Sequence, residues 1–399
     1  MNIGTLFRAH AVKNVFGGDA ISRVAGEVVF THGAVAGEDF IGRITAVNKD
    51  YARAEIVEIT KVSPERVCCL CPGMGRCPGC VYGHMSHAEE QKQKLQQLRD
   101  FMQPLGVDSA LIEGAGLQDA PEKNYRNKIR LTMRKAGGEA QLGYVFTDGR
   151  MYPLQQCLLA SKAINAKLAE LLNDPGFVPS LHDRMTLTLR ESADGVIYYR
   201  NSAAKRMDFL REKVLDKDFL VPPDGFFQVN KHGMDTLLQL VMQSLQESEC
   251  RSFVDAYAGS GLFGSAAASC GVTQVYAVEA DERSGEAAVQ NYRNYGVKTL
   301  DFRAGDAAEL LPGLLNEAPV DSTVLFDPPR GGMDGKAVGI LNRSSIRNAI
   351  YISCHPATLV RDLARLQRGG FVIRKVRMID MFPRSGHFET FVQLTRQKA

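Results

Sequence analysis

From about residue 233 the chain alternates short β-rich runs with segments of helical period. This alternation constrains the fold more than any other feature. HGMDTLLQLVMQSL (232–245) reads as a helix, SFVDAYAG (252–259) as a strand running into a turn, and LFGSAAASC (262–270) as a helix. QVYAVEA (274–280), STVLFDPPR (322–330), IRNAIYISC (346–354) and FVIRKVRMIDMF (371–382) read as strands, with SGEAAVQNYRNYG (284–296) a helix between the first two. A crossover helix returns the chain to the same end of a sheet, so such strands pair in parallel. The expectation is an α/β, Rossmann-like, doubly wound sheet with its ligand at the carboxyl edge of the strands.

The first half reads differently. VAGEVVFTHG, DFIGRITAVN and YARAEIVEI, separated by Gly, Asn and Asp turns, suggest a small OB-like β-barrel over residues 5–62, either RNA-binding or merely structural. Residues 84–104 have helical period, with Ala88, Leu95, Leu98, Phe101 and Met102 on one face. Over 125–200 the pattern is α+β. In YRNKIRLTMRK (125–135), Ile129, Leu131 and Met133 alternate with Lys128, Arg130 and Arg134, a half-buried strand with a basic outer face. MTLTLR and GVIYYR, joined by ESAD, make a hairpin, and 158–172 an intervening helix. The expected division is 1–63 for the barrel, 64–225 for a cysteine loop and central α+β domain, and 226–399 for the Rossmann-like domain.

The 399 residues carry a net charge of only +3, which alone argues against an all-basic nucleic-acid binder. The charge is unevenly spread: residues 226–338 balance at −7 and residues 339–399 at +8. A basic segment beside an acidic one suggests an anionic partner on one face, with a plain solvated surface as the alternative. No run reaches the roughly 18 apolar residues of a membrane helix. The start lacks a signal-peptide core, so a cytoplasmic location is expected.

Four constellations bear chemistry in the second half. In DAYAGSGLFG (255–264), Gly259 and Gly261 permit a tight turn and close backbone approach to a ligand. Glu279 ends the next strand, where an acid accepts both hydroxyls of a ribose. We read this as a turn for a small ligand without a pyrophosphate, S-adenosylmethionine, against a nicotinamide-type or structural turn. Asp306 stands where it can bond an adenine amine. FDPPR (326–330) turns the chain at the sheet edge, because Pro328 and Pro329 cannot continue a ladder, and sets Asp327 at the pocket. Cys354 lies at a strand–helix junction, where helix dipoles can stabilise a thiolate. Glu389, between Phe388 and Phe391 in an apolar strand, is a carboxyl that resists ionising, as suits a proton acceptor or donor near neutrality.

Nine cysteines are present, five of them within residues 68–80. In a chain of this kind a tight cluster reads as metal or catalytic chemistry. In CPGMGRCPGC, Cys71, Cys77 and Cys80 lie in a Gly/Pro loop, and remote Cys157 is the best candidate for a fourth thiolate. Three clustered cysteines and one remote suit an iron–sulfur cluster. Zinc is the rival, although only one C-x2-C knuckle is present. Cys250 and Cys270 read as core, and Cys68 and Cys69 as surplus.

Together these residues resemble the RNA uracil-5-methyltransferases, over essentially the whole chain. The 23S rRNA branch, with an N-terminal TRAM barrel and a 4Fe–4S cluster, looks nearest. SPERVCCLCPGMGRCPGC resembles the family's run into the cluster, which implies Cys71, Cys77, Cys80 and Cys157 as ligands. FFQVN (226–230) implies Gln228 beside the cofactor. DAYAGSGLFG, Glu279 and FDPPR match the cofactor and pocket motifs, implying Asp255, Tyr257, Gly259, Gly261, Glu279, Asp306 and Asp327 as cofactor contacts. SCHPATLVRDL implies Cys354 as nucleophile and HFET implies Glu389 as base. His355 stands where the family usually has Asn, and Arg384 where His is common. The implied reaction adds Cys354 to carbon 6 of a uridine, methylates carbon 5 and removes its proton with Glu389. The target base leaves its stack. The basic C-terminal segment, the barrel and the strand carrying Arg126, Lys128 and Arg130 would grip RNA. The implied substrate is rRNA, with tRNA as the runner-up and an RNA-binding protein with a vestigial site as the reading from another class. No membrane partner is expected, and a monomer suffices.

Overall fold

A computed structural model describes residues 1–69, 71–136, 139–146, 149–201 and 203–396. Six strands begin the chain: β1 (Leu6–His10), β2 (Lys13–Asn14), β3 (Ala20–Val24), β4 (Glu27–Thr31), β5 (Asp39–Val47) and β6 (Tyr51–Lys61). They pair in the order β1-β5-β6-β4-β3-β2, and the sheet curls until β1 packs on β3. The interior is lined by small or slim residues such as Ala11, Ala20, Val29, Ala52 and Phe40, as a tight barrel requires.

The cysteine loop leads into α1 (His87–Met102), started by Ser86, whose side chain accepts the Glu89 N–H. The helix is where the period predicts, but its buried face differs. Leu98 and Met102 are buried as expected, whereas Ala88 is exposed and Glu89, Glu90, Gln93, Lys94 and Gln97 are buried. Apolar period cannot foresee this, because Glu90, Gln93, Lys94 and Gln97 find partners remote in sequence. After α1, β7 (Ile112–Ala115) joins the far edge of the last sheet.

The central sheet comprises β8 (Lys128–Ala136), β9 (Glu139–Val145), β10 (Met151–Pro153), β11 (Thr186–Ser192) and β12 (Gly195–Arg200), with helix α2 (Lys162–Asn173) against β11 and β12. Ile129, Leu131 and Met133 are buried and Arg130 is exposed, as the alternation predicts. The rest of the basic face is not free. Arg190, opposite Lys128, is buried and donates to the carbonyls of Pro222, Pro223 and Gly225. Lys128 also donates to Gly225, and burial lowers its ammonium to about 8. Arg126 is turned toward the cysteines and Tyr144. The loop before residue 226 therefore ties down Lys128, whereas Arg130 stays exposed.

A hairpin, β13 (Leu210–Val214) and β14 (Lys217–Val221), precedes the α/β region. There the expected alternation is found: α3 (Lys231–Glu247), β15 (Ser252–Asp255), α4 (Leu262–Ser269), β16 (Gln274–Glu279), α5 (Glu282–Tyr295), β17 (Thr299–Ala304), α6 (Ala307–Glu317), β18 (Thr323–Phe326), α7 (Gly335–Arg343), β19 (Asn348–Ser353), α8 (Pro356–Arg368), β20 (Phe371–Ile379) and β21 (Glu389–Arg396). The sheet order is β17-β16-β15-β18-β19-β21-β20-β7. The run from β17 to β19 is parallel, and β21 enters antiparallel between β19 and β20. Buried side chains from α1, α6, α7 and α8 cover one face and those from α3, α4 and α5 the other, giving the Rossmann-like sandwich. No described helix is long and apolar enough to cross a membrane.

Much of the C-terminal positive charge is used inside the fold. Arg396 donates to the carbonyls of Leu341, Asn342 and Ile346, Arg377 pairs with Glu113, and Lys375 pairs with Glu247. The +8 balance of that segment is thus in part structural and not a free anion-binding surface.

Candidate active site

Parallel strands end at one edge, and the antiparallel β21 begins there. Asp306 follows β17, Glu279 ends β16 and Asp255 ends β15. Asp327 follows β18, Cys354 follows β19 and Glu389 opens β21. The sheet order sets these six residues side by side in that sequence. Ser353 faces Thr390, so the same register carries Cys354 toward Glu389.

The glycine turn is built around its acids. The Gly259 N–H donates to the Glu279 carboxylate at 2.7 Å, and the Asp281 N–H donates to its other oxygen at 2.8 Å. Gly259 and Gly261 have φ of +53° and +87°, the left-handed region that favours glycine. Gly264 completes a G-x-G-x-x-G spacing with them, so glycine spacing does not separate this turn from a dinucleotide turn. A Cβ on Gly264 would lie 2.4 Å from the Tyr292 ring, so this glycine serves the packing of α4 on α5. Asp255 accepts the Gly264 N–H and the Tyr292 hydroxyl, each at 3.0 Å, while its other oxygen is buried without a partner. Asp306 caps α6, accepting the Ala308 N–H. Tyr257 packs on the core below, and burial with nearby Asp306, Asp334 and Asp362 raises its hydroxyl to about 12. Gln228 is buried, and its carbonyl accepts from the Asn127 side chain.

The other half of the edge is a set of buried acids with little positive charge near them. Burial, then the field of Asp255, raises Asp327 to about 7. Glu389 is 4% exposed, and burial with Asp327 nearby lifts it well above the usual carboxylate range. Cys354 is raised to about 11, first by burial and then by Glu389, with Arg330 the one cation opposing the shift. The helix-dipole expectation for Cys354 is thereby corrected. α8 does begin just beyond it, but desolvation and neighbouring carboxylates outweigh the dipole. Both groups are thus pushed toward their protonated forms, the Cys354 thiol and the Glu389 carboxyl. Such a site can add a nucleophile to, and take a proton from, a substrate that enters between them.

Two features went unseen in the sequence. Phe16, in the turn between β2 and β3, meets the rings of His355, His387 and Phe388 edge-on at 5.6–5.7 Å, so the barrel walls the site. Arg330, just after the two prolines, is the cation facing Cys354 and Glu389. No local pattern marks Phe16. The position of Arg330 after FDPP was a usable signal.

The four candidate metal-ligating cysteines do come together. Cys157 acts on the titration of Cys71, Cys77 and Cys80, and burial with these neighbours raises Cys80 to about 12. Cys157 is clamped by Asn165, which accepts its N–H and donates to its carbonyl, both at 2.9 Å. The Cys71 N–H donates to the Cys69 sulfur, so Cys69 belongs to the same loop fold. However, among the described residues no group of three or more His, Cys, Asp or Glu is arranged to hold a metal ion. The sequence expectation of a metal centre therefore finds a convergence of thiols, not a ligand shell. All nine cysteines are free.

Residues 204–397 match the family model described as tRNA (uracil-5-)-methyltransferase. That match covers a little under half of the chain, and relatives of similar length carry the description RNA methyltransferase. The chain is 29% identical to an "uncharacterized RNA methyltransferase" of Streptomyces coelicolor, covering 97% of this chain and 92% of that one. A Gloeobacter violaceus relative of like description is 28% identical over 95% and 94% of the two chains. Among solved structures, the tRNA (uracil-54, C5)-methyltransferase of Pyrococcus abyssi in complex with S-adenosyl-L-homocysteine shares the fold. Its TM-score is 0.72 at 22% identity, over 97% of this chain and 99% of that one. The acid-lined strand edge is the candidate active site of this chain.

Proposed function

We propose that this protein is an S-adenosylmethionine-dependent methyltransferase that acts on carbon 5 of a uridine in 23S rRNA, with Cys354 as nucleophile and Glu389 as base. The observation that carries this reading is the ordered edge, with cofactor-side acids on β15–β17 and Cys354 beside Glu389 on β19 and β21. Glu279 on the glycine turn suits a ribose, and Asp306, Asp255, Tyr257, Gln228 and Asp327 line or support the cofactor side.

Carbon 5 of uracil is a weak nucleophile. Cys354 loses its proton to water, its sulfur bonds to carbon 6, and the electron pair of the 5,6 double bond moves into an enolate. Carbon 5 then takes the methyl group of the sulfonium, which leaves as S-adenosylhomocysteine. Glu389 accepts the carbon-5 proton, and the electrons of that bond re-form the double bond as the sulfur–carbon 6 bond breaks. A carboxyl held above its usual range binds a proton more firmly once it receives one.

In this reading residues 226–399 do the chemistry, and the barrel (1–63), of TRAM type, and residues 64–225 hold RNA. Cys71, Cys77, Cys80 and Cys157 hold a 4Fe–4S cluster, supported by their convergence. Transfer of labelled methyl from S-adenosylmethionine to separated rRNA and tRNA, with mapping of the product, tests the substrate. Label on tRNA alone favours the second reading, which the tRNA name of the matched family supports. Anaerobically purified protein should contain about four irons per chain. One zinc in their place removes the cluster.

A further inference from the structure

Glu389 is reached through residues 380–388, and several separate parts of the molecule hold that segment. Lys94, fully buried, donates to Asp380 at 2.8 Å and to the Phe382 carbonyl at 3.1 Å. The Tyr125 hydroxyl donates to the Pro383 carbonyl at 2.9 Å. Gly386 abuts the barrel turn, where a Cβ would lie 2.8 Å from Gly17. At the centre is Arg384, in the left-handed region at φ +68°, which an arginine adopts only when its surroundings impose it.

Arg384 joins this segment to the cysteine loop by both backbone and side chain. Its carbonyl accepts the N–H groups of Val81 and Tyr82, at 2.9 and 3.1 Å, directly after Cys80. Its guanidinium donates to the carbonyls of Met85 and Tyr82, at 2.8 and 3.4 Å. Its own N–H donates to Glu90 at 2.6 Å, and its guanidinium pairs with Glu90 and Glu122. Arg384, Cys71 and Cys80 also line one cavity of about 360 Å³, so the loop and the segment share a wall as well as these bonds.

We propose that Arg384 is a positioning residue that locks the end of the cysteine loop to the segment bearing Glu389, so that the fold of that loop sets how well Glu389 meets carbon 5. Neutralising or shortening Arg384 loosens the hold on residues 382–388 while leaving Cys354 and the cofactor turn untouched. The methyl cofactor and Cys354 then act normally, and proton removal falters. This rests on the reading of Glu389 as base.

The test uses the full chain with S-adenosylmethionine and rRNA and tRNA transcripts containing 5-tritiated uridine. Wild type, Glu389→Gln, Arg384→Ala and Arg384→Lys are compared for covalent adduct in denaturing gels and for tritium release. Glu122→Gln serves as a milder variant should Arg384→Ala fail to fold, because it removes only a half-exposed partner. Arg384→Ala is expected to release tritium about 10- to 100-fold more slowly while adduct accumulates and KM for S-adenosylmethionine holds, the mark of a misplaced base. Arg384→Lys, or Glu122→Gln, should lie between it and wild type. If Glu389→Gln traps adduct but the Arg384 and Glu122 variants do not, or if they lose adduct and tritium release together, the positioning role is overturned. If Glu389→Gln itself traps no adduct, the base assignment fails instead.

Discussion

Asp380 and Glu389 lie nine residues apart, both almost fully buried, and they titrate in opposite directions. Burial pushes each upward. At Asp380 the Lys94 ammonium and the His87 ring outweigh that cost and hold the carboxyl below its usual range. At Glu389 the nearest strong field is another acid, Asp327, and Arg330 is too exposed to compensate. The first carboxylate is permanently charged and fixes geometry. The second has no resident counter-ion, so its ionised form is disfavoured and it gains from taking up a proton. The difference lies in the cations a segment is given: α1 supplies Lys94 to the far end of the segment and nothing comparable to the near end.

The largest expected effect breaks the chemical side. Cys354→Ala should reduce methyl transfer to background while RNA binding in filter assays is retained. Turnover by this variant would remove the nucleophile from the mechanism. Next comes the structural side. Lys94→Ala leaves Glu90 and Asp380 buried beside one another, and loss of one partner of such a set costs about 3–5 kcal/mol. Urea unfolding should show a fall of that size. The loss should be greatest above pH 5, because Asp380 is depressed in the folded state and its contribution is present above the unfolded carboxylate value and lost as pH falls through the lower folded one. A change under 1 kcal/mol would mean that the network is dispensable.

The two sides were not equally legible in the sequence. The alternation of strands and helices, the Gly turn, FDPP and the cysteine after a strand all predict an edge, and Asp327, Cys354 and Glu389 stand on it. Each lies within a residue of a strand end, and strand ends are set by local pattern. The ion network was invisible for the opposite reason. Glu90 and Lys94 share a helix, but Asp380 lies 286 residues from Lys94, and Arg384 is 294 residues from Glu90. A helix whose buried face is charged reads as solvent-exposed until its partners are known. Phe16 is hidden in the same way, since only docking of the barrel turn brings it to His355 and His387. The basic face of β8 was legible as a pattern, but not the loop at 222–225 that ties down Lys128 and leaves Arg130 exposed.

The smallest effects sharpen the contrast by pH. Burial, Glu389 and Asp327 hold Cys354 near 11, so its reactive thiolate is disfavoured and the reactive fraction grows with pH until that value is reached. At pH 8 this leaves about 100-fold or more less thiolate than a free cysteine near 8.5 would have. Alkylation by iodoacetamide, followed at the Cys354 peptide by mass spectrometry, should therefore still be rising at pH 10. A plateau near pH 9 would show an ordinary thiol and end the parallel with Glu389. Arg330→Ala removes the one cation that opposes the shift, so Cys354 should rise further and alkylate more slowly at any fixed pH. Because Arg330 is solvent-exposed, that slowing should be about fivefold at most and should shrink in high salt. A large, salt-independent loss would instead mark Arg330 as the missing counter-ion of Glu389 and erase the distinction from Lys94 and Asp380.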